Sequence, residues 1–146
     1  MDDNENDVSE KRASSYRVKE ISKTVYQIRK EVSKVVFGQD KVINSLLRSL
    51  LANGHILLEG VPGIAKTLLI KALAEVSGCS FKRKKFTADM LPADILGFIT
   101  YNPKDGFEIS KGPIFSNFII ADEINRSPPK TQSALIEAMQ EKQVTI

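Results

Sequence analysis

A chain of 146 residues, 42% of them hydrophobic, has the size of one domain and enough apolar residues for a core. A single cysteine, Cys79, excludes an internal disulfide framework and any zinc-like cysteine spacing, and is read as an inert, partly buried thiol. No apolar stretch is long enough to cross a bilayer, the polar acidic start is unlike a signal peptide, and a net charge of +3 is too small to imply nucleic acid. The expectation is therefore a cytoplasmic protein with no membrane insertion and no nucleic-acid partner.

Residues 1–15 carry Asp2, Asp3, Glu5, Asp7 and Glu10 with almost nothing apolar, which predicts a disordered acidic tail ahead of a folded part over 16–146. Val18, Ile21, Val25, Ile28, Val32 and Val35 then alternate steps of three and four, giving a long helix with one narrow apolar stripe. That stripe suits packing on its own domain or, more sharply, a subunit contact. After a Gly38-Gln39 break, a second helix turns Val42, Ile43, Leu46, Leu47, Leu50 and Leu51 inward and stops at Asn53-Gly54. A strand is expected from about His55 to Glu59, with the sole histidine as a structural strand-start residue.

Residues 56–67, ILLEGVPGIAKT, pass from an apolar run into a glycine-bearing loop and then Lys66-Thr67, the form of a phosphate-binding loop. In such a loop Gly60, Val61, Pro62, Gly63, Ile64 and Ala65 turn backbone N–H groups toward phosphate oxygens, and the following helix adds its positive end. Lys66 reaches the β- and γ-phosphates and the Thr67 hydroxyl ligates Mg²⁺. Against G-x-x-x-x-G-K-[ST], Ala65 replaces one glycine. The methyl group is tolerable where φ need not be positive, and Gly63 still supplies a permissive turn. Taken alone, the segment also suits an ordinary strand–turn–helix.

A helix with Leu68, Leu69, Ala72, Leu73 and Val76 follows from Lys66 and stops near Gly78. The next strand, about Phe81 to Thr87, contains Lys82-Arg83-Lys84-Lys85, whose charge on both faces fits a protected edge strand better than a nucleic-acid groove. Asp89 to Gly97 suggests a short helix interrupted by Pro92. Phe98 to Phe115, with Asn102-Pro103, Asp105-Gly106 and Gly112-Pro113, suggests a hairpin inserted in the α/β plan. Phe118 to Ala121 then form an apolar run ending in Asp122-Glu123, as a buried parallel strand ends at an active-site edge. Asp122 there holds Mg²⁺ and Glu123 polarises the attacking water. Alone, the pair also suits an acidic strand end capping the next helix; with Lys66-Thr67 upstream it points to nucleoside triphosphate hydrolysis. Ser127-Pro128 supplies a cap and first-turn proline for a helix with Thr131, Ala134, Leu135, Ala138 and Met139 on one face, and Val144-Thr145-Ile146 starts a further strand.

The stretches VVFGQDKVI, EGVPGIAKTLL, FTADMLPADILGF and KGPIFSNFIIADEINRSPPKTQSALIEAMQEKQVTI together resemble the MoxR family of AAA+ ATPases over roughly residues 36 to 146. The resemblance implies a P-loop NTPase fold, a three-layer arrangement of parallel sheet and helices. It also implies ATP with Mg²⁺, a ring-forming homo-oligomer, and chaperone-like remodelling of client proteins the sequence does not specify. By family position Val36, Phe37 and Gly38 lie near the adenine, Lys66 and Glu123 are catalytic, Thr67 and Asp122 serve the metal, and the 98–115 hairpin is an insertion facing the central channel. Alanine before the lysine is common in these relatives. Arg126 matches the family text, with surface pairing as its ordinary role. The family continues with a sensor strand, an arginine finger and a helical lid, so the resemblance implies a chain truncated before the sensor strand. That strand belongs between the 55–59 and 117–121 strands. The alternative is a non-hydrolysing nucleotide-binding or interaction fragment.

Overall fold

The computed structural model describes residues 3–59 and 66–145, with side chains from Ser14 onward. Two compact units divide the chain after Val76. No helix among the described residues is long and apolar enough to cross a membrane.

The first unit is helical. Helix α1 spans Asp3–Val35, α2 spans Asp40–Leu51 and α3 spans Lys66–Val76. The backbone is helical from Asp3, within the stretch 1–15 where a disordered tail is expected. The apolar stripe of α1 divides along its length. Val32 is fully buried and Val25 and Ile28 are half-buried, whereas Val18, Ile21 and Val35 are exposed. α1 packs against both α2 and α3, and the unit's core is Val32, Val36, Ile43, Leu46, Leu47, Leu69, Ile70, Leu73 and two alanines of α3. Leu50 and Leu51, expected inward, are exposed at the end of α2. There Ala52 and Asn53 close the helix through bonds to Arg48 and Leu50 carbonyls, Asn53 at φ 49°.

The strand expected at His55–Glu59 is not formed: these residues belong to no ladder, and Leu57 is 80% exposed. An apolar run becomes a strand only when a neighbouring strand pairs with its N–H and C=O groups, and no described strand pairs with this one. The same reason applies at Val144 and Thr145, where the expected final strand is irregular backbone.

The second unit carries both sheets. Strand β1, Phe81–Lys85, pairs parallel with β4, Phe118–Asp122, in the register Phe81 to Phe118, Arg83 to Ile120 and Lys85 to Asp122. Asn117 fixes the start of the pair, its side-chain oxygen accepting from both the backbone N–H and the hydroxyl of Ser80 at 3.0 and 2.8 Å. Between these strands lie α4, Ala93–Leu96, entered through Pro92, and an antiparallel hairpin of β2, Gly97–Asn102, with β3, Gly106–Lys111. The tip turns as its sequence requires. Asn102 accepts from the Lys104 N–H at 3.0 Å, and Gly106 takes φ 80°. At the base two glycines are obligatory: a Cβ on Gly97 would stand 2.3 Å from the Ser110 carbonyl oxygen, and one on Gly112 2.1 Å from that of Ile95.

Helix α5, Pro129–Glu141, begins one residue later than Ser127-Pro128 suggested, with Pro129 in its first turn. Leu135 joins Phe86, Met90 and Ile95 in a buried cluster, against which Leu96, Ile114, Ala121, Ile124 and Met139 pack. The buried Thr131 hydroxyl donates to the Met90 carbonyl at 2.8 Å, tying the helix to the β1–α4 connection. This cluster lies beneath the end of β4 and holds the strand whose last residue is Asp122.

Candidate functional site

The phosphate-binding side starts where α3 starts. Leu69, Ile70, Ala72, Leu73 and Ala74 bury one broad face of that helix, which fixes Lys66 and Thr67 in its first turn, both half-buried. No acidic side chain stands in that turn. The Lys66 ammonium donates to the Leu58 carbonyl at 3.5 Å, a long bond that directs it back along the chain entering the loop. The candidate loop residues Gly60, Val61, Pro62, Gly63, Ile64 and Ala65 lie outside the described residues. In the same unit, Val36 is a core residue, Phe37 is 82% exposed, and Gly38 takes φ 74°, turning the chain from α1 into α2.

The carboxylate side is assembled in the other unit. β4 delivers Asp122 to the C-terminal end of a parallel strand, where open α/β sheets bind their ligands. The next residue breaks the strand: Glu123 sits in the left-handed region at φ 56°, ψ 38°, and a one-turn 3₁₀ helix at Ile124–Arg126 follows. A non-glycine residue held there costs about 1–3 kcal/mol, and such positions cluster at functional sites. The conformation is supported by an Arg126 N–H to Glu123 carbonyl bond of 2.9 Å and by the Ser127 hydroxyl donating to the Ile124 carbonyl at 2.8 Å.

Both carboxylates are held by cations. Arg83 Nε donates to Asp122 Oδ2 at 2.5 Å. Lys85 Nζ stands 3.5 Å from Glu123 Oε1, and Arg126 Nε 3.0 Å from Glu123 Oε2. The side chain of Asp122 is 29% exposed and that of Glu123 38%, so these pairs sit at the edge of solvent, where each is worth at most about 1 kcal/mol. Sequence reasoning gave the cation run the job of edge protection and missed this. Only half of the signal lay in the sequence: a two-residue period puts Arg83 and Lys85 on one face, whereas the parallel pairing that brings Asp122 to that same face belongs to the fold. Arg126 makes the surface pairing expected of it, and its partner is Glu123.

Comparison with known proteins agrees with this geometry. The family model described as "ATPase family associated with various cellular activities (AAA)" matches residues 55–146. The chain is 49% identical over 117 residues to chaperone MoxR1 of Mycobacterium tuberculosis, covering 80% of this chain and 31% of that protein. It is 34% identical over 122 residues to protein MoxR of Methylorubrum extorquens, covering 80% and 35%. The chain thus spans about a third of the length of these curated relatives. A 2.00 Å crystal structure of a protein assigned as an ATPase from Cytophaga hutchinsonii superposes with a TM-score of 0.83 at 51% identity, covering 94% of this chain and 42% of that one. With the AAA match extending over more than half of its residues, and a parallel strand ending in adjacent carboxylates, the chain belongs to the MoxR family of AAA+ ATPases and has the fold of a P-loop NTPase.

Proposed function

We propose that the chain binds ATP with Mg²⁺ and supplies both halves of a hydrolytic site for a MoxR-type ATPase that works as a ring-forming homo-oligomer on client proteins. The observation that carries this is Asp122-Glu123 at the end of a parallel strand, with Glu123 held in a left-handed turn. The donor chemistry suits Mg²⁺, which takes oxygen ligands, uses one or two carboxylates and fills its remaining positions with water and phosphate. Asp122 and Thr67 would hold it, and the metal would supply charge neutralisation on the phosphate oxygens.

Each residue has a separate task. Lys66, at the start of α3, neutralises the terminal phosphates, and Gly60 to Ala65 offer backbone N–H groups to them. Val36 to Gly38 line the adenine through the exposed Phe37 ring and the backbone, since the Val36 side chain is committed to the core. Glu123 orients and polarises the attacking water. The hairpin 98–115 is an insertion facing the central channel of the ring. A second reading, nucleotide binding without turnover, draws on the cations that occupy both carboxylates. Calorimetric titration of ATP and Mg²⁺ into the chain, followed by phosphate release under the same conditions, separates the two. Binding with release supports hydrolysis, binding without release supports the second reading, and no binding removes both.

A further inference from the structure

The contact between Arg83 and Asp122 has a chemical consequence beyond neutralising a strand edge. Its guanidinium uses Nε alone, a single hydrogen bond to Oδ2, where two parallel bonds would make a stronger clamp. The Arg83 side chain is 56% exposed, so it can swing into solvent at little cost in packing. Asp122, by contrast, is fixed at the last position of β4, with its carbonyl accepting from the Phe86 N–H at 2.8 Å. The carboxylate is stationary and the cation is displaceable.

We propose that Arg83 is the resident counter-ion of Asp122 and that a divalent metal ion binds by exchange with it. This rests on the assignment of Asp122 to the metal. A metal ion and a guanidinium compete for the single negative charge of one carboxylate, and two cations held against it repel each other. Metal arriving alone displaces Arg83 with only its own bond to Asp122 in return. Metal arriving with nucleotide brings phosphate oxygens that offset both cations. Arg83 thereby weakens occupancy by free metal and favours loading of metal and nucleotide together.

The test uses Mn²⁺ alone, with the whole chain and no nucleotide, reading free Mn²⁺ by electron paramagnetic resonance. Arg83→Gln should tighten Mn²⁺ binding about two- to fivefold, the range expected for removing one exposed competing pair. Lys84→Gln removes the same charge from the neighbouring position on the opposite face of β1, and should change affinity by clearly less. Asp122→Asn should abolish the Mn²⁺ site. If Asp122→Asn leaves binding intact, the metal assignment itself falls and the exchange falls with it. If Asp122→Asn removes binding but Arg83→Gln does not tighten it, or tightens it no more than Lys84→Gln, the assignment stands and the exchange is overturned. Absence of detectable Mn²⁺ binding in both the unaltered chain and Arg83→Gln also overturns it.

Discussion

The roles proposed for Lys66, Asp122 and Glu123 are separable by single substitutions. Lys66→Ala should abolish ATP binding in a calorimetric titration, because alanine supplies neither the charge nor the donor that faces the terminal phosphates. Equal affinity in both forms would remove the phosphate-loop assignment. Glu123→Gln should retain ATP and Mg²⁺ but lose turnover wherever the unaltered protein hydrolyses, since an amide keeps the shape and cannot take up a proton. Asp122→Asn should instead weaken the Mg²⁺-dependent part of binding. Asp89 offers a separate check. The Thr87 hydroxyl, then its own backbone N–H, hold this exposed carboxyl below the ordinary carboxylate value. Its contribution to stability is present above the unfolded pKa and is lost as pH falls through the lower, folded one. An NMR titration should place its midpoint below that of an unperturbed aspartate, and Thr87→Val should move it up.

Among the elements, the hairpin was the most legible and the first strand the least. Asn102-Pro103 and Asp105-Gly106 announce a tight turn through local chemistry, and the observed tip follows it because such bonds need nothing distant. The apolar run at 55–59 promised a strand, but strand formation is a property of pairs, and composition does not contain the partner. The role of Arg83 was hidden for the same reason: its face could be counted from the sequence, but which strand lay beside it could not. At the hairpin base, Gly97→Ala forces a left-handed backbone at φ 105° and drives a methyl group into the Ser110 carbonyl, so a loss of about 2–4 kcal/mol is expected in denaturant unfolding. Leu135→Ala, emptying a site 3% exposed, should cost about 2–5 kcal/mol in the same measurement. Loss of less than about 1 kcal/mol in either would contradict the packing described.

At the scale of the whole molecule, burial among the described residues is concentrated in two places. Helix α3 with its neighbours forms one, and the Phe86, Met90, Ile95 and Leu135 cluster forms the other. Amide exchange should be slowest in Leu69–Ala74 and in the backbone around these clusters, and fastest in the exposed stretch of α1 from Ser14 to Thr24, where few apolar contacts oppose local opening. Uniform protection along α1 would refute this. The hairpin presents Ile99, Tyr101, Phe107 and Ile109 on one exposed face, with the Tyr101 and Phe107 rings 5.1 Å apart, so its amides depend on only two strands for shelter.

The left-handed turn at Glu123 sets a conflict for anyone improving this protein by selection. Glycine or asparagine is more comfortable than glutamate at φ 56°, and either substitution should raise the melting temperature, with a gain of about 0.5–1 kcal/mol. A library enriched only for heat resistance would therefore accumulate replacements at position 123 early. It would be discarding the side chain to which we assign activation of the attacking water. The melting temperature and the catalytic rate of such survivors should move in opposite directions, and a screen that scores both should leave glutamate in place.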